Sequence, residues 1–108
     1  CELVIGGDFN LSICERLSSE KLKTSTADRK IQARLHDEFR LSNCWQTANP
    51  NQPLPQTLRW TNQPAVPYHC DGIFVPRAWV KGLKSSAVFS GEPWITLSDH
   101  NPVLAEFE

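Results

Sequence analysis

Apolar positions along this chain come mostly in short runs, and one segment carries a helical period. Leu3-Val4-Ile5 stops at Gly6-Gly7 and gives way to Asp8-Phe9-Asn10. A short apolar run ended by glycine suits a buried strand that delivers polar residues at its C-terminal tip. Residues 11–24 have no clear period and read as loop with a short helical turn. Ile31, Leu35 and Phe39 then recur at spacing four, with Ala27 on the same stripe. Ser25 or Thr26 can cap this segment, and Asp28 lies three residues after Ser25, so the pattern predicts an amphipathic helix over 26–41. Its other face carries Asp28, Arg29, Lys30, Arg34, Asp37 and Glu38. Mixed signs there describe a solvated face better than a binding patch, and His36 belongs to it.

The second half of the chain reads as strands separated by proline-rich connections. Residues 47–56 contain Asn49-Pro50-Asn51 and Pro53-Leu54-Pro55 and form an extended surface connection. Thr57-Leu58-Arg59-Trp60-Thr61 is a short strand, and 62–68, with Pro64 and Pro67, is a second loop. A strand over 69–75 ends at Pro76. Trp79-Val80 and 86–89 make one irregular strand region, 90–93 a turn, and 95–107 a closing strand that carries Asp99-His100 near its start. The order predicts an α+β fold, with a mixed β-sheet and one main amphipathic helix packed on a face.

Totals narrow the picture. At 108 residues the chain is at most one domain with a modest core. Its net charge of −1 supplies no global basic field for nucleic acid, although a local groove can still be basic. No apolar run approaches the roughly 20 residues that span a bilayer. Cys1, Cys14, Cys44 and Cys70 form no Cys-x-x-Cys pair, which argues against a zinc ribbon. Small buried thiols in a reducing compartment such as the cytoplasm are the simpler reading. The chain has no methionine and opens directly on a strand, as expected of a piece of a longer protein.

Asp8, Asn10, Asp71, Asp99 and His100 all fall at strand ends. Singly, each has an ordinary explanation: Asp and Asn favour turns, Asp99 can cap the turn before Pro102, and Asp71 can hold a backbone amide. Gathered at one sheet edge, they would form a single site. Asp8 and Asp99 are hard oxygen donors suited to magnesium or manganese, and Asn10 adds an amide. Asp71 could fix the tautomer of His100, which could then donate to a phosphate oxygen or to developing negative charge. Such a set suits metal-assisted hydrolysis of a phosphoester.

Gly7-Asp8-Phe9-Asn10, Trp60-Thr61-Asn62, Asp71-Gly72-Ile73-Phe74-Val75 and Ser98-Asp99-His100-Asn101-Pro102-Val103 together resemble the endonuclease/exonuclease/phosphatase superfamily in order and spacing. The resemblance spans essentially all of residues 1–108 and matches the C-terminal part of the family domain. It implies half of a two-sheet sandwich flanked by helices, and a divalent-metal phosphodiesterase or phosphatase in the intact protein. By resemblance Asp8 activates or orients the attacking water, and Asn10 contacts water and phosphate. Asp71 orients the catalytic His100, and Asp99 with Asp8 faces Mg2+ or Mn2+. The implied partner is a phosphoester substrate, nucleic acid among the candidates. His69 and Gly72 depart from the family pattern, which often has an arginine two residues before the aspartate and an aromatic residue after it. The N-terminal half, with a principal metal-binding glutamate, is missing, so this stretch alone is expected to be inactive. Its open apolar face could pair two copies. The alternative is a non-catalytic fragment that serves as a binding or interaction module.

Overall fold

The computed structural model describes residues 2–108, which leaves Cys1 outside. In chain order its elements are β1 (Ile5–Asp8), α1 (Thr26–Ala33), β2 (Leu41–Asn43), α2 (Cys44–Ala48), β3 (Leu58–Trp60), β4 (Gln63–Tyr68), β5 (Asp71–Pro76), β6 (Leu83–Val88), α3 (Trp94–Leu97) and β7 (Val103–Phe107). A π-helical turn (Arg34–Glu38) follows α1, and a 3-10 turn (Arg77–Gly82) follows β5. The α+β class is as expected. The single mixed sheet is instead three small antiparallel ones, ordered β1-β5-β2, β3-β4 and β6-β7.

β5 is the spine: alternation puts Gly72 and Phe74 on one buried face, and Val75 is buried on the opposite one. Around Phe74 gather Ile13, Cys14, Leu41, Trp45 and Leu54, with Ile5, Phe9, Leu11, Leu35 and Val88 packed against them. Ile13 and Cys14 come from the aperiodic stretch 11–24, which forms turns but no helical turn. A Cβ on Gly72 would stand 2.3 Å from Ile13 Cδ1, so the bare glycine is what lets Ile13 lie across β5.

Several boundaries differ from the pattern-based expectation, each for a local reason. Ser25 Oγ does accept the Asp28 N–H at 3.0 Å at the start of α1. The helical run stops before Phe39, however, and Arg40 turns left-handed at φ 55° so that Leu41 can enter β2 buried. Of the predicted stripe only Leu35 reaches the core, while Ile31 and Phe39 remain 36% and 49% exposed. The expected loop 62–68 is strand β4, paired with β3. Its prolines are tolerated because a two-stranded ribbon leaves each strand an open edge. The expected closing strand begins with the helical turn α3 and becomes β7 only after Pro102. Trp79-Val80 lies in the 3-10 turn and not in a strand. β2 and α2 take Leu41 from the expected helix, residues 42–46 to which the pattern gave no element, and residues 47 and 48 from the expected extended connection. Among the described residues no helix is long and apolar enough to cross a membrane.

Candidate active site

Asp8 and Asp71 end up side by side because they close the β1–β5 ladder, where they are directly opposite each other. The next hydrogen bond, from Phe9 N–H to the Cys70 carbonyl at 2.8 Å, marks Asp8–Asp71 as a non-hydrogen-bonded pair. In such pairs the Cα atoms are only about 4.5 Å apart and the side chains share a face. Two like charges so placed repel each other, a cost that needs a cation or a shared proton to offset it. His100 supplies the compensation. Its Nδ1 donates to Asp71 Oδ2 at 2.8 Å, and its Nε2 lies 3.8 Å from Asp8 Oδ2 and 3.9 Å from Asp99 Oδ1. The Asp71 hydrogen bond, aided by the charges of Asp71, Asp8 and Asp99, raises the imidazole pKa above its ordinary value against a smaller desolvation effect.

Asn10 is held beside this group by its own backbone. Its N–H donates to Asp8 Oδ1 at 2.9 Å, and its φ of 57° lies in the left-handed region that asparagine tolerates. Asp8, Asn10 and His100 are among the residues that line a cleft of about 610 Å³. Leu11, Leu58, Trp60 and Tyr68 form apolar and aromatic wall, while Arg16 (paired with Glu20), Lys23 and Asp28 bring charges of both signs. Asp99 stands at the rim with its side chain 61% exposed.

All five residues singled out by sequence therefore lie in one neighbourhood, with Asp8, Asp71 and His100 in closest contact. Sequence reasoning missed Cys70, whose Sγ belongs to the same tight group as Asp8, Asp71 and His100, with ligand atoms all within 4.8 Å of one another. By element type that group resembles a transition-metal site. Burial, then the Asp71 and Asp8 charges, push the Cys70 thiol up to about 12, so it is a weak donor unless a bound cation displaces its proton. The carboxylates of Asp8 and Asp99, at 3.8 and 3.9 Å from His100 Nε2, are hard donors of the kind that suits a cation such as Mg2+, and two carboxylates are too few to enclose it. His69, where the family often has arginine, is buried, with Nδ1 on the Pro55 carbonyl at 2.8 Å and Nε2 3.8 Å from Cys14 Sγ. It serves the core.

No family model matches the sequence, and no curated protein matches it closely enough to count. Among solved structures, the chain is similar to the 3′ phosphatase NExo from Neisseria, bound to a product DNA hairpin, with a TM-score of 0.74 and 23% identity. The match covers 99% of this chain and 45% of that one. The chain thus spans less than half the length of NExo, and over that span it has the endonuclease/exonuclease/phosphatase fold that its motifs resemble.

Proposed function

We propose that the protein hydrolyses phosphoesters with the help of a divalent cation, and that residues 1–108 form the C-terminal part of its catalytic domain. The observation that carries this reading is the His100 imidazole set among three carboxylates at the mouth of a cleft. Asp71 holds Nδ1–H and so fixes the ring orientation, which leaves Nε2–H to donate to a phosphate oxygen or to negative charge developing on it. Asp8 orients a water and takes its proton as the water oxygen bonds to phosphorus and the ester oxygen departs. Asn10 steadies the same water or the phosphate through its amide. A bound Mg2+ or Mn2+, held in part by Asp8 and Asp99, would supply charge neutralisation of the phosphate.

A nucleic-acid substrate is supported by the DNA hairpin bound to NExo and by Trp60 and Tyr68 on the cleft wall, faces on which a base can stack. The test uses residues 1–108 alone and the same residues together with the rest of their domain. Phosphate release from a 3′-phosphorylated oligonucleotide is expected only from the longer form, abolished by EDTA and restored by Mg2+. Residues 1–108 alone should not exceed a His100→Ala control, because too few carboxylates face the cation. Metal-independent hydrolysis by the longer form, or clear activity from residues 1–108, would sink the proposal.

A further inference from the structure

We infer that Arg59, on β3, is a positioning residue that sets His100 against Asp71. The inference rests on the catalytic reading of His100 but not on the identity of the substrate. The guanidinium of Arg59 donates both to the Asn101 Oδ1 and to the Ser98 carbonyl. Its backbone N–H donates to the Asp99 carbonyl at 2.7 Å. One residue thus grips the chain two positions before, one position before and one position after His100.

The rest of β3 and its approach complete the frame. Leu58 forms an isolated bridge with His100. Asn101 N–H donates to the Thr57 carbonyl at 2.8 Å, and the buried Asn101 amide donates to the Gln56 carbonyl at 2.9 Å. Thr57 Oγ1 in turn accepts the N–H groups of Cys70 and Asp71 at 3.0 and 3.2 Å. A single short stretch therefore fixes both partners of the 2.8 Å Asp71–His100 contact, through Thr57 on one side and Arg59 on the other. Arginine suits the task because its fork offers several rigidly spaced donors, whereas lysine offers one point charge. Within the loop, His100 N–H also donates to Ser98 Oγ at 3.0 Å, and Ser98 and Asp99 are exposed while Asn101 is buried.

The test compares Arg59→Met, which keeps the aliphatic stem without the donors, with Arg59→Lys. In the longer, active form, Arg59→Met should lower kcat by roughly 10- to 100-fold with KM within about twofold, since a small misplacement of a catalytic group slows chemistry more than binding. In residues 1–108, the low-field Nδ1–H proton resonance of His100 should broaden or vanish in Arg59→Met. Arg59→Lys should recover part of both. A folded Arg59→Met with the resonance intact and kcat unchanged, or reduced only in proportion to its unfolded fraction, would overturn the inference. Should Arg59→Met fail to fold, Arg59→Lys decides by the same two readouts, with wild-type values counting against the role. If the wild-type protein hydrolyses nothing, the catalytic reading fails, and the resonance alone decides whether Arg59 positions the ring.

Discussion

Thr57→Val should destabilise this protein more than its single-atom change suggests. Thr57 is 0% exposed, and its Oγ1 accepts from both Cys70 N–H and Asp71 N–H. Asp71 N–H points away from β1, because Asp8–Asp71 is a non-hydrogen-bonded pair, and β2 covers β5 only from Phe74 onward. Asp71 N–H therefore has no strand partner to fall back on. Valine fills the same volume and removes the acceptor, so the cost is that of stranded donors: about 1–3 kcal/mol for a buried group, and about 2–3 kcal/mol for this pair, since they share one oxygen and Asp71 is only half-buried. For a domain of this size that lowers Tm by about 10–20 °C. Thermal or urea denaturation of Thr57→Val beside Thr57→Ser measures it, with the serine variant retaining most of the stability. A Tm loss under about 3 °C for valine, or equal losses for both variants, would refute the reasoning.

Two further expectations concern titration and thiols. Burial lowers the pKa of His69 below its ordinary value, so protonation favours the unfolded chain. Its contribution is complete above about pH 6.5 and is lost as pH falls, by at most about 1.4 kcal/mol per unit. His100 works in the opposite sense, since its raised pKa gives stability present below about pH 6.5 and lost as pH rises. Denaturation midpoints of His69→Gln between pH 5 and 7 should therefore fall less steeply on the acid side than those of the wild type, and parallel curves would contradict this. Burial pushes the thiols of Cys14, Cys44 and Cys70 up to about 12, 11 and 12. In a Cys1→Ser background, a thiol reagent at pH 8 should react at the unfolding rate, and rapid labelling of the native protein would show that one of these pockets is open.

How much of this could be read from sequence depended on where the information lay. Asp8 and the Asp99-His100 pair were legible because glycine and proline mark those points locally, at Gly6-Gly7 and Pro102, and Asp71 because an aspartate is out of place at the head of an apolar strand. The Ser25 cap and the start of α1 were legible because a capping side chain and the amide it binds lie three residues apart. The end of that helix was not, because tertiary need won: Leu41 serves the core in β2, and the spacing-four stripe runs past that point without meaning. β4 was hidden by Pro64 and Pro67, whose missing N–H groups cost nothing on an open edge. Thr57 and Arg59 carried no signal at all. Their importance comes from which carbonyls and amides the fold brings to them, some of them more than forty residues away.

The Asp8–His100–Asp71 arrangement stands or falls on the rate of bond cleavage. Single-turnover phosphate release at saturating Mg2+ should be compared for residues 1–108 joined to the rest of the proposed catalytic domain and for its His100→Gln variant, with KM taken in parallel. Loss of the Nε2–H donor and of the charge that Asp71 sustains predicts a fall in rate of roughly 10²–10³-fold with KM little changed. A His100→Gln rate within about threefold of wild type would contradict a catalytic role for this imidazole and leave the cluster as a structural ion pair.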